Sequence, residues 1–175
     1  MTDSVAQVPF DPPALNKAEN LLLVSKQSTA DTMPSDTVSA RKTGWEKTAL
    51  LVSYFFPEHE ELLVSRPGVV EWTEGWHDNF LALAGRLIVP PVVRTLLYAQ
   101  NPLQVGLWVN RVTDRFDFVR IVPAHWEAPI LAKPVDLRGA FRFLEDEAAD
   151  AFPEKDMERG LKPLADFAFR SLRRN

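Results

Sequence analysis

The composition changes near residue 44, and that break limits what the chain can fold into more than any other feature. Residues 1–44 are mostly Thr, Ser, Asp, Pro, Ala and Gln without a sustained apolar period, and Met33-Pro34-Ser35-Asp36 breaks them again. Such a stretch buries too little apolar area to offset the entropy lost on ordering. Residues 1–44 are therefore expected to form a mostly disordered tail, and residues 45–175 one globular domain.

One segment departs from that pattern. Leu15, Ala18, Leu22 and Ser25 fall at i, i+3, i+7 and i+10, behind Asp11-Pro12-Pro13 as a helix start. The spacing predicts a short amphipathic helix over 13–25. A helix of about a dozen residues is marginal alone in water. Leu15 and Leu22 are thus expected to bind a surface, either on a partner or on the domain itself.

Within the domain, Trp45 to Phe56 is strongly apolar and fits a buried strand or a buried helix equally well. Val69, Trp72, Trp76, Phe80, Leu83 and Leu87 step by three and four, which predicts a helix from Val69 to Ile88. Pro90-Pro91 ends it and opens another over 91–100. Leu103–Val112 and Phe116–Val122 read as two β-rich segments joined at Thr113-Asp114-Arg115, a hairpin with apolar groups on both faces. Ile130-Leu131-Ala132 is placed as a short edge strand. Asp136 is placed as the N-cap of a helix through Phe152, with a last helix near Leu161–Leu172. The class that follows is α+β: a small antiparallel sheet built on a central hairpin and packed against three to five helices.

Composition removes several functions. The chain has no cysteine, so disulfides, thiolate zinc sites, Fe–S clusters and thiol catalysis are excluded. Its net charge of −4 argues against nonspecific binding to nucleic acid or anionic membranes, which needs a positive field. The most apolar run, Leu81–Val93, is broken by Arg86 and Pro90-Pro91 and is too short to span a bilayer. The first ten residues hold no basic n-region and no apolar run, so no secretory signal is read there, and a cytoplasmic location is expected.

Three constellations remain. Each histidine (His59, His77, His125) has a carboxylate within three positions, and Glu74-x-x-His77 with Asp78 is the arrangement a metal-dependent or acid/base hydrolase would use. No second Glu-x-x-His copy and no His-Glu-x-x-His is present, and 24 acidic residues make such neighbours common by chance. Phosphate-cradling glycine motifs are absent too, so no cofactor and no resident metal is expected. Second, a helix followed by a hairpin carrying Arg111 and Arg115 follows the order of a winged-helix module, in which Trp108 and Phe116 could stack on unpaired bases. Arg94 alone on the recognition segment supplies too little charge for this to lead. Third, five Trp and eleven Phe against two Tyr favour rings used for packing and partner contacts. The leading expectation is a noncatalytic cytoplasmic interaction or regulatory domain with a protein partner or a second copy of itself. Its candidate contacts are Leu15, Leu22, Trp108, Arg111, Arg115 and Phe116.

Overall fold

The computed structural model describes residues 5–12, 18–54, 71–72 and 74–145. It is α+β, as its sequence implied, with helices dominating and one small antiparallel strand pair. The chain divides into two compact units, residues 10–82 with 153–175, and residues 1–9 with 83–152.

The first unit is built on α1 (Ala18–Ser25) packed along α2 (Val38–Tyr54). Thr37 starts α2, its Oγ1 accepting from the Ala40 N–H at 3.1 Å, as an N-cap hydroxyl should. Asp36 braces that turn through a bidentate pair with Arg41, at 2.6 and 2.8 Å. This settles the ambiguous 45–56 run as helix through Tyr54, and the helix begins seven residues earlier than the apolar run. Gly44 lets the two helices approach closely, because a β-carbon there would meet the Leu21 backbone. The amphipathic segment therefore docks on its own chain; Leu22 is buried against α2, and Leu15 lies outside the described residues.

The expected 69–88 helix is much shorter. Among the described residues of that span, α3 (Trp76–Leu83) is the helical part. Before it, Glu71 pairs with Ser28 as an antiparallel bridge, and the Trp72 N–H donates to the Gln27 carbonyl at 2.8 Å. After it, Gly85 adopts φ 76°, where a β-carbon would be strained. Backbone partners at both ends thus override the helical periodicity.

The second unit corrects the expected tail. Ala6 exchanges hydrogen bonds with Ile88 at 2.9 and 3.0 Å, and the Gly85 N–H donates to the Val8 carbonyl at 2.7 Å. Val8 is fully buried (0% exposed), and Val5 and Ala6 are buried beside it. Three small apolar residues offset their ordering entropy here because strand-like backbone pairing comes with the burial.

The 103–112 strand of the expected hairpin is also corrected. Residues 102–115 form one helix, α5 (Pro102–Arg115), after α4 (Pro91–Leu96) and a 3-10 turn at Tyr98–Gln100. Asn101 caps it through its side chain, with Pro102 at the first helical position. Val105, Val109 and Val112, on opposite sides of the supposed strand, step by four and three along one helical stripe, while Leu107 and Trp108 lie on the exposed face. Thr113, placed in the turn, is interior to the helix and donates back to the Val109 carbonyl at 2.9 Å. The strand pair is instead β1 (Arg120–Ile121) against β2 (Ile130–Leu131), with Arg120 opposite Leu131 and Ile121 opposite Ile130. The second hairpin segment thus contributes only its end, and its partner is the edge strand. Next, α6 (Pro134–Ala140) follows, with Asp136 in its first turn accepting from the Lys133 N–H at 2.7 Å rather than standing before it. A 3-10 turn at Arg142–Leu144 ends the described chain, so the expected last helix lies outside it.

Candidate functional site

Two groups of side chains stand out, one in each unit. In the 10–82 unit, the α2 neighbours Glu46 and Lys47 are both buried although both carry charge. Lys47 is 1% exposed; its Nζ donates to the carbonyls of Ser25 (3.2 Å) and Lys26 (2.8 Å). It lies between the indoles of Trp72 and Trp76, 5.0 and 4.9 Å from the ring centroids. The bridge from residues 27–28 to 71–72 carries Trp72 to that position. Burial pulls the Lys47 ammonium down to about 8, opposed by the charge of Asp31. Contact with two indole faces favours the cation in the same sense as Asp31.

Glu46 Oε2 lies 3.5 Å from Nδ1 of His77 on α3. Burial raises the Glu46 carboxyl, and the charges of His77 and Lys42 work against that rise. His77 keeps half its side chain exposed, stacked over Phe80 at 6.1 Å and edge-on to Trp76 at 5.3 Å. A buried carboxylate facing one imidazole nitrogen orients the ring. Glu74 and Asp78, selected by sequence spacing, are exposed, and the carboxylate placed 3.5 Å from His77 comes from 31 positions upstream. A buried-position glutamate in the apolar run after Trp45 was the only signal. Among the described residues no three His, Asp or Glu side chains converge as a metal site would need, and His59 lies outside them.

In the 83–145 unit, the exposed face of α5 gathers the other candidates. Trp108, Arg111 and Arg115 step by three and four along one stripe, and Phe116 follows with its ring 5.8 Å from the Arg115 guanidinium. A groove of about 290 Å³ lies beside Trp108, lined also by Tyr98, Asn101, Gln104 and Val105. Phe141, buried below, holds both groove rings: its centroid is 5.6 Å from Tyr98 and 5.9 Å from Trp108. Arg94, expected on a recognition helix, stacks its guanidinium on Phe143 at 4.4 Å. With the 103–112 strand replaced by α5, Arg111 and Arg115 belong to a helix rather than to a wing.

No described helix is long and apolar enough to cross a membrane. No curated protein and no solved structure matches the chain. A family model does match, over residues 1–143, which takes in every helix and strand from α1 to α6. The chain belongs to the family of the domain of unknown function DUF4336.

Proposed function

We propose that this chain is a noncatalytic, cytoplasmic interaction or regulatory domain that works through protein–protein contacts. The observation that carries the reading is the concentration of exposed apolar side chains in the 83–145 unit. Leu103 (72% exposed) and Leu107 lie on α5, and Val135 lies on α6. Register puts Leu131 and Arg120 on one face of the strand pair, and Val122 two residues on shares it; Leu131 is 80% exposed and Val122 77%. Single exposed apolar residues are ordinary, whereas several on consecutive elements are typical of surfaces that meet a partner.

Photo-crosslinking side chains placed at positions 107 and 131 test the reading in cells. Covalent species above the monomer mass are expected from at least one position. A chain that is monomeric by light scattering and gives no crosslink from either position removes the proposal.

The Glu46–His77 pair supports a second reading, an acid/base hydrolase with His77 as proton carrier and Glu46 as the group that orients it. Ester or phosphoester hydrolysis that His77→Ala abolishes and Glu46→Gln weakens is its expected signature. Equal activity in the wild type and both variants disposes of it.

A further inference from the structure

We propose that the exposed face of α5 is a docking site for an acidic amphipathic helix of a protein partner. The helix seats one apolar side chain in the Tyr98–Trp108 groove and sets carboxylates against Arg111 and Arg115. This inference rests on the interaction reading above and names the partner's chemistry.

The groove accounts for the apolar anchor. Its lining holds two aromatic rings, a valine and two neutral amides, and no charged group. At about 290 Å³ it falls at the bottom of the roughly 300–1,000 Å³ spanned by small-molecule pockets, a size suited to a bulky side chain. Because Phe141 backs both rings, the groove is formed before anything enters it.

The two arginines account for the acidic groups. Arg111 and Arg115 are exposed, and no described carboxylate pairs with either. Asp114, the nearest acidic residue on the helix, is already paired with Arg138 of α6. Two guanidinium groups one turn apart, neither paired with a described carboxylate, present a bidentate fork each, which carboxylates match.

Spacing then selects the partner's form. At about 1.5 Å per residue, Arg111 lies roughly 5 Å and Arg115 roughly 10 Å along the axis from Trp108. A helix laid antiparallel along α5 meets those heights with an anchor at i and carboxylates near i−3 and i−7. Leu103 and Leu107, exposed next to the stripe, extend the apolar contact. Single-stranded nucleic acid fits less well: two arginines provide few phosphate contacts, and the leucines have no counterpart on it.

A display library of random 14-residue peptides, selected against the full chain, tests this directly. Enriched sequences are expected to be acidic with one bulky apolar anchor. Their affinity, read by fluorescence anisotropy, is expected to drop at least tenfold with Arg111→Glu/Arg115→Glu and to fall as salt rises. Lysines in place of the peptide carboxylates are expected to restore binding to that reversed variant. Should the reversed helix fray, Arg111→Gln/Arg115→Gln reads the same loss.

Neutral or basic enriched peptides overturn the proposal, as do acidic ones indifferent to both arginine variants. Tight binding of a 15-residue oligo-dT that depends on the two arginines, with no acidic peptide enriched, overturns it in favour of nucleic acid. Peptides that resist the arginine changes but lose binding with Leu131→Asp refute this site while leaving the interaction reading intact.

Discussion

The Leu21 carbonyl of α1 rests against Gly44 of α2, where a β-carbon would lie 1.9 Å from its oxygen. The contact is backbone on backbone, so no side chain can rotate away to relieve a substitution. Gly44→Ala should gain about 1 kcal/mol of helix propensity. It should lose more by forcing α1 off α2, since overpacking of this kind costs about 1–3 kcal/mol or more. The expected net is destabilisation by about 1–2 kcal/mol in urea unfolding. An unchanged or raised midpoint would show that α1 is not seated as described.

Lys47, one turn further along α2, gives a pH signature. Its ammonium is held near 8, below the ordinary lysine value of 10.5. Below about 8 both folded and unfolded chains keep the proton, and the cost of burying the charge is fully present. Between about 8 and 10.5 the folded chain has shed the proton while the unfolded chain retains it, so stability rises with pH through that window. Lys47→Met should abolish this rise, seen as a gap between the two stability profiles that changes from pH 7 to pH 10. Parallel profiles would assign the titration elsewhere. Lys47→Ala, which also strands the Ser25 and Lys26 carbonyls and leaves space between the indoles, should cost about 3 kcal/mol at pH 7.

Glu46 titrates with the opposite consequence. Burial raises its carboxyl above the ordinary value of 4.5. The folded chain thus holds this proton more tightly than the unfolded one, and the stability it contributes is lost as pH rises through the folded value. Glu46→Gln, which keeps the shape without the charge, should therefore be at least as stable as the wild type at pH 7. His77→Ala removes an opposing charge and should raise the Glu46 carboxyl further, measurable by carboxyl NMR titration. A Glu46→Gln variant clearly less stable at neutral pH would mean that the ionised pair is net favourable.

The regions that sequence periodicity described well are those where one helix face is buried. Residues 18–25 are the example, with Leu22 buried and Leu23 exposed, whereas the 91–96 helix was marked by its Pro91 start and buries Pro91, Val92, Val93 and Thr95 alike. The failures have a common physical cause. Strand and helix patterns coincide when apolar residues occur on both sides of a short window, and for 103–112 the deciding cue was the Asn101-Pro102 cap rather than the hydrophobic pattern. The N-terminal segment failed for another reason: Ala6 and Val8 owe their burial to partners some 80 positions away, which no local composition measures. A shorter separation, 31 positions, hid Glu46 from His77 in the same way. The exposed stripe of α5 was legible as residues, since Trp108, Arg111, Arg115 and Phe116 were all singled out, but only the helix brings the first three into line.

Between α5 and α6, two connections of different kinds invite a direct comparison. Asp114 pairs with Arg138 at the surface, while Phe141 is buried against Tyr98, Trp108 and Phe143. An exposed ion pair contributes about 0–1 kcal/mol, because water screens it and both side chains lose freedom. Removing a buried phenyl ring costs about 3–5 kcal/mol. Asp114→Ala should therefore shift the unfolding midpoint little and do so less at high salt, whereas Phe141→Leu should lower it and loosen the Tyr98–Trp108 groove. Trp fluorescence reports that loosening. Equal effects from the two substitutions would contradict the aromatic support of the groove.

The N-terminal segment provides the most severe test of the second unit. Val8 is fully buried and its carbonyl accepts from Gly85, while the Gln7 carbonyl accepts from the Glu127 N–H at 3.2 Å. A flexible tail would tolerate any change here. A seated strand would not: Val8→Asp places a charge where no water reaches, at a cost of several kcal/mol unless the carboxyl protonates. Val8→Ala should cost about 1–3 kcal/mol through lost burial and the space left behind. Amide hydrogen exchange separates the two pictures without mutation, because the Ala6, Gly85 and Ile88 N–H groups are all engaged in this pairing. Slow exchange at all three is expected, and deletion of residues 1–9 should release Gly85 and Ile88 together. Fast exchange at Ala6 and Ile88 in the intact chain would return the segment to the status of a tail.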